Sequence, residues 1–246
     1  MDISRIVATA HLHNLSLNPY PGRGLIIGTD ETGKFMVQVY WIMGRSANSR
    51  NRVFGSDDEF GRLFTEAADP AKMEDPRLVI YNAMAEYGDR YVVSNGDQTD
   101  DIVSIKQWRY SFQDALFTRQ YEPDQPNFTP RISGQCFAGK DGAPPFQLAI
   151  LRKSAFGDSC DKAFYEYSEI IPGYGYCITT YTGDRNPLPP WQGDPLLMPL
   201  TGSIEEIADM YHGILNEEHF VSLAVKFIPL DYGKSRICII NKYKKV

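Results

Sequence analysis

Gly24-Leu25-Ile26-Ile27-Gly28-Thr29, then Asp30-Glu31-Thr32-Gly33-Lys34, then Phe35-Met36-Val37-Gln38-Val39-Tyr40-Trp41-Ile42-Met43, run on without a break. A short apolar run, a polar turn and a β-branched, aromatic run in that order predict a β-hairpin. Two motifs flank it. Asn18-Pro19-Tyr20-Pro21-Gly22-Arg23-Gly24 precedes it and reads as a tight turn, with prolines fixing φ and glycines opening backbone angles closed to other residues. Gly44-Arg45-Ser46-Ala47-Asn48-Ser49-Arg50-Asn51-Arg52 follows it, with three arginines and two serines in nine residues. Both motifs leave from the same end of the hairpin, so their side chains can converge on one ligand.

The rest of the chain repeats the pattern. A strand over 78–82, a turn over 86–90 and a return over 91–95 predict a second hairpin. Strands over 132–137 and 146–152, around Lys140-Asp141-Gly142, predict a third. A closing hairpin over 220–230 and 236–243 turns at Asp231-Tyr232-Gly233-Lys234. Another strand is expected over 174–181, a short one over 6–17, and a short helix over 59–67. Ile102, Ile105, Trp108, Phe112, Ala115 and Leu116 recur at helical spacing and predict one long amphipathic helix from Thr99 or Asp100 to about Gln120. Ser203-Ile204-Glu205-Glu206 is a capping box that opens a second helix, with Ile207, Ala208, Tyr211, Ile214 and Leu215 on one stripe. Residues 183–199 hold five prolines and two glycines and predict a surface crossing. Strands joined mainly by tight turns mean antiparallel sheets, so the expectation is an α+β sandwich of two sheets with helices outside, one domain over residues 1–246.

Composition bounds the function. The chain has 246 residues, a formal net charge of −6 and a pI near 5.3, which argues against nucleic acid as a partner. No apolar run approaches the roughly 20 residues needed to span a bilayer, and the N-terminus lacks the apolar core of a signal peptide, so no membrane partner is expected. Cys136, Cys160, Cys177 and Cys238 are scattered without metal-ligand spacing and read as reduced thiols of a cytoplasmic protein. His11 and His13 would fall on opposite faces of a strand, and His212 and His219 carry no ligand pattern, so no metal is expected. No Walker or dinucleotide loop and no Gly-x-Ser-x-Gly elbow is present.

Against this acidic background, no Asp or Glu lies between Glu31 and Asp57. A cationic, hydroxyl-rich loop suits a phosphate dianion, held by guanidinium forks and hydroxyls. The alternative is a solvated loop whose arginines pair with surface carboxylates. Elsewhere Tyr81-Asn82-Ala83 and Ser94-Asn95-Gly96-Asp97 lie near one end of the second hairpin, where they either orient a ligand or cap turns. Glu122 and Arg131 flank a proline-rich bend, where a carboxylate is either a general acid–base or solvated surface.

Taken together, the Tyr-x-Gly-Arg turn, Gly44-Arg45-Ser46 with Ser49-Arg50-Asn51-Arg52, Tyr81-Asn82-Ala83, Ser94-Asn95-Gly96-Asp97-Gln98-Thr99-Asp100 and Thr129-Pro130-Arg131-Ile132 occur in one order. In this the sequence resembles the archaeal-type IMP cyclohydrolase family, most closely up to about Arg152. It departs from that pattern by a lead-in before Tyr20 and by the insert at 183–199. The resemblance implies a four-layer αββα sandwich like that of N-terminal-nucleophile hydrolases, without the nucleophile. It implies closure of 5-formamidoimidazole-4-carboxamide ribonucleotide to inosine monophosphate with loss of water, using no cofactor. A purine ribonucleotide is then the small-molecule partner, and a homo-oligomer is expected. Arg45, Ser46, Ser49, Arg50 and Arg52 would bind the phosphate and ribose, with Tyr20 and Arg23 beside them. Tyr81, Asn82 and Asn95 would orient the base and oxyanion, and Glu122, with Arg131, would move protons. Two other classes stay open: a nucleotide-binding protein without turnover, and an amidohydrolase that uses a processed N-terminal nucleophile.

Overall fold

A computed structural model describes residues 2–104, 111–138, 145–231 and 233–245. The hairpin of β1 (Gly24–Thr29) and β2 (Phe35–Met43) forms as expected, turned by the Asp30 carboxylate, which accepts from the backbone N–H groups of Thr32, Lys34 and Phe35. It occupies the middle of a six-stranded antiparallel sheet. Tyr174–Thr179 (β10) pairs with β1 and carries Leu196–Pro199 (β11) at one edge. Phe220–Pro229 (β12) pairs with β2 and carries Arg236–Asn241 (β13) at the other. The second sheet is a seven-stranded antiparallel meander in chain order. It comprises β3 (Arg52–Asp57), β4 (Arg62–Ala67), β5 (Asn82–Tyr87), β6 (Arg90–Ser94), β7 (Arg131–Phe137), β8 (Phe146–Lys153) and β9 (Cys160–Tyr167).

The parity of the hairpin explains its continuous hydrophobicity. Leu25, Ile27, Tyr40 and Ile42 face the second sheet, where they meet Leu63, Met84, Val93, Ile132 and Leu148. Ile26, Val39, Trp41 and Met43 face the other way, against Leu15 of helix α1 (Ile3–Ser16) and Ile204, Ile207 and Tyr211 of helix α5 (Ile204–Ile214). A strand buried on both faces carries no polar alternation. On the outer face of the second sheet, Val92, Ala149 and Leu151 pack under Ile102 of α3 (Gln98–Ser104) and Phe112 of α4 (Phe112–Ala115). The result is an α+β sandwich with helices on both outer faces.

Several expectations need correction. Residues 6–17 form a helix, not a strand: Asp2 caps its first turn, and Ala8, Leu12 and Leu15 recur at helical spacing against the sheet. His11 and His13 therefore sit on a helix, and His11 Nδ1 lies 3.1 Å from the Leu197 carbonyl. The helix expected over 59–67 is strand β4, whose Leu63 and Thr65 alternate inward. The strand expected from residue 78 starts only at Asn82, because the N–H groups of Val79 and Ile80 both turn back to the Pro76 carbonyl. The long helix over 99–120 is not continuous. α3 starts at Gln98, and Ser111 caps a fresh start at Phe112 through a capping box with Asp114. Ile105 and Trp108, the Lys140-Asp141-Gly142 turn and Tyr232 lie outside the described residues. Strands β3, β9 and β11, the last inside the proline-rich crossing, have no counterpart among the strands expected from sequence. The capping box at Ser203 and Glu206 forms as expected.

Candidate functional site

One end of the sandwich opens into a cavity of about 270 Å³. The turn before β1 supplies Tyr20 and Arg23, and the loop after β2 supplies Arg45, Ser46, Asn48 and Ser49. Leu78 and Val79 come from the segment before β5, Glu122 to Thr129 from the bend before β7, and Tyr181 and Leu188 from the chain after β10. Gly22 makes the first of these contributions possible. It sits at φ +71°, and a Cβ there would stand 2.3 Å from Thr180 Oγ1 and 2.6 Å from the Tyr181 ring.

The chemistry concentrates on Arg23 and Glu122. Glu122 is 2% exposed and Arg23 9%, with Arg23 Nη2 3.8 Å from Glu122 Oε2. The Glu122 backbone N–H donates to the Thr129 carbonyl at 2.9 Å, which fixes the bend. Burial pushes the Glu122 carboxyl up to about 7, against the pull of Arg23. Arg52, fully buried, donates from Nε to the Ser49 carbonyl at 2.8 Å. Burial and the charge of Arg23 both push its pKa down. Among the described residues, Arg52 Nη1, Arg52 Nη2 and Arg23 Nε are buried donors with no hydrogen-bond partner. Two guanidiniums within electrostatic reach of each other, with donors to spare, make a strong demand for an anion or a polar acceptor. Tyr40 and Tyr81 share a hydroxyl–hydroxyl hydrogen bond of 2.7 Å in the same electrostatic neighbourhood.

Around this centre the walls are interlocked. Tyr20 stacks on Tyr181 at 6.0 Å between ring centroids, and the Arg45 guanidinium lies 5.2 Å over the Tyr20 ring. Tyr181 hydroxyl bonds to Thr129 Oγ1, and Thr129 is itself tied to the Asp124 carboxylate. Arg45 also donates to Asp184 Oδ1 at 2.6 Å. Ser46 caps the short helix α2 (Ala47–Arg50) and exchanges hydrogen bonds with Ser49.

The structure therefore gathers Tyr20, Arg23, Arg45, Ser46, Ser49 and Glu122 in one cavity, with Arg52 and Tyr81 close behind its wall. It keeps the other sequence candidates apart. Arg50 turns away, donating to the Gly44 carbonyl and lying 3.2 Å from His219 Nδ1. Asn82 donates to Asp100 at the start of α3. The Asn95 carboxamide is committed to the backbone and Gln98: it donates to the Pro130 carbonyl and accepts from Ile132 N–H and Gln98. Arg131 is held by Asp97 and Gln98.

A model of the IMP cyclohydrolase-like protein family matches residues 20–232. The chain belongs to this family. The match runs well past Arg152, where the sequence signatures thin out, and so takes in Tyr181 and Leu188. No curated protein matches the chain. In this IMP cyclohydrolase-like protein, the cavity residues missed by sequence reading are Asn48, Leu78, Val79, Asp124, Asn127, Thr129, Tyr181 and Leu188, with Tyr40 behind them. Thr129 stands next to the Pro130-Arg131 pair already singled out, and Tyr181 ends a recognised strand. Those were the available signals.

Proposed function

We propose that this protein is an IMP cyclohydrolase, closing 5-formamidoimidazole-4-carboxamide ribonucleotide to inosine monophosphate with loss of water in purine biosynthesis. One observation carries the reading: a buried carboxyl poised near neutrality lies beside a buried arginine, at a cavity with further cations around it. Family membership supports it, and the two-sheet sandwich supports kinship with the N-terminal-nucleophile hydrolases.

Both reacting groups sit on one imidazole ring, so holding the formamide towards the carboxamide supplies much of the rate. The carboxamide nitrogen forms a bond to the formyl carbon, and the formyl oxygen takes the displaced electron pair. Arg23 stabilises that oxyanion. The Glu122 carboxylate removes a proton from the attacking nitrogen and delivers it to the oxygen, giving a ring hydroxyl. A second proton then passes from the former formamide nitrogen to that hydroxyl, which leaves as water while the C=N bond forms. Each transfer runs from nitrogen to oxygen, and a carboxyl near pKa 7 matches both directions at neutral pH. Arg45, Ser46 and Ser49 at the rim bind the phosphate and ribose, and Arg52 adds positive potential from behind. Tyr20 and Tyr181 flank the base.

The test is direct. Purified protein is incubated with the formamido ribonucleotide, and inosine monophosphate is followed by absorbance against a blank without enzyme. Rapid cyclisation that disappears in Glu122→Gln is the expected result. A thermal shift with inosine monophosphate but no turnover would make this a nucleotide-binding protein, and the absence of both turnover and thermal shift would sink the reading.

A further inference from the structure

The short helix α2 faces two cavities. Asn48 and Ser49 look into the cavity of Arg23 and Glu122, whereas Ala47, Arg50 and the following Asn51 line a separate cleft of about 330 Å³. Ala68, Asp69 and Lys72, from the chain after β4, and Tyr243 and Lys244, from the chain after β13, complete that cleft. Its floor is rigid: Asp69 N–H donates to Asn51 Oδ1 at 2.7 Å, and Asn51 Nδ2 donates back to the Asp69 carbonyl at 2.8 Å.

The cleft is cationic on a chain of net charge −6. Arg50, Lys72 and Lys244 line it with a single acid, Asp69, whose carboxylate is engaged by Lys72 at 2.8 Å, while Arg50 Nη2 lies 3.7 Å from the exposed Glu218 carboxylate outside the lining. Lys244 has no hydrogen bond or ion pair among the described residues, and Lys242 lies 6.0 Å over the Tyr243 ring nearby. Tyr243 packs part of its ring against the core between the sheets, and with Ala47 and Ala68 it gives an apolar wall. Cations beside a flat apolar surface, in a volume within the range of small-molecule sites, suit a phosphorylated ligand carrying a flat ring.

We propose that this cleft is a second ligand site that takes a nucleotide, and that its occupation alters the first cavity through α2. Arg50 cannot shift alone. Its Nε is bonded to the Gly44 carbonyl, its backbone N–H to the Ser46 carbonyl, and the Asn51 N–H to Ala47. A phosphate that draws on Arg50 therefore strains the same turn that holds Ser46, Asn48 and Ser49. The binding half of this inference stands without the cyclohydrolase reading; the coupling half rests on it.

Calorimetric titration of the full chain with adenosine monophosphate, in the presence of excess inosine monophosphate, tests the site. One equivalent of adenosine monophosphate is expected to bind, with affinity reduced about tenfold or more in Lys72→Glu/Lys244→Glu, because reversed charges repel the phosphate. Lys244→Ala alone, a milder change, is expected to weaken binding by a smaller factor and serves if the double variant fails to fold. Adenosine monophosphate should also change the KM for the formamido ribonucleotide in the wild type and leave that of the double variant unchanged. Binding that inosine monophosphate abolishes, or that the lysine variants leave intact, would overturn the second site. Intact binding with no effect on KM would overturn the coupling. A protein without turnover would leave the titration decisive and would count only against the cyclohydrolase reading.

Discussion

Glu122 Oε2 stands 3.8 Å from Arg23 Nη2, an ion-pair distance too long for a hydrogen bond, in a place where both side chains are almost closed to solvent. The pair is thus partnered but not saturated. Glu122 keeps a raised affinity for its proton, and Arg23 Nε has no partner among the described residues. Glu122→Gln preserves the shape and removes the proton acceptor. Turnover should fall by about 10²–10⁴-fold, the usual weight of a positioned acid–base group, with inosine monophosphate still bound. Steady-state kinetics and a binding titration on the same preparation check this, and unchanged turnover would remove Glu122 from the reaction.

The same carboxyl should shape the pH dependence of stability. Its pKa rises from 4.5 to about 7 on burial, so between those values the folded protein holds a proton that the unfolded chain has released. Stability follows the protons bound by the unfolded state minus those bound by the native state. It therefore declines as pH climbs from about 4.5 to about 7, and this contribution levels off above. Melting curves of wild type and Glu122→Gln should diverge over that window, the wild type losing more. Parallel curves would show an ordinary carboxyl.

Arg52 presents the opposite balance. It is fully buried, and among the described residues both its amino groups lack a partner, a cost that its single Nε bond to the Ser49 carbonyl offsets only in part. Arg52→Met should leave the melting temperature unchanged or raise it, while weakening inosine monophosphate by about tenfold or more. A destabilised variant with native affinity would make Arg52 a structural residue.

Arg45 meets Asp184 at 2.6 Å, each about one-third exposed. A ligand phosphate must compete with that carboxylate. Asp184→Asn should lower the KM for the nucleotide by up to about fivefold, with kcat and stability nearly unchanged, because an exposed pair is worth roughly 0–1 kcal/mol. A raised KM would instead mean that Asp184 positions Arg45 productively.

What the sequence reveals here follows from how local each signal is. The hairpin of β1 and β2, the closing hairpin and the capped start of α5 are written in neighbouring residues, and they are readable. α1 is not, because only Ala8 and Leu15 are buried while Ile3, Ile6 and Leu17 are exposed, which blurs the helical stripe. β9 is an edge strand with no fully buried residue, so it lacks an alternating pattern. In the site, Arg23, Arg45, Ser46 and Ser49 flank one hairpin and could be grouped by eye. Tyr181 and Thr129 reach them only because β10 pairs with β1 and the bend at Glu122 folds under it. Arg50 and Arg52 look alike in sequence, yet a two-residue step sends one outward and the other into the core.

The cavity wall spans Tyr20 to Leu188, and β1 finds its outer neighbour β10 only some 150 positions later. No single hairpin carries the cavity wall by itself. A growing chain lacks this wall until β10 and the Tyr181–Leu188 segment have been made. Any ligand of this cavity, the proposed nucleotide included, would stabilise only the completed molecule.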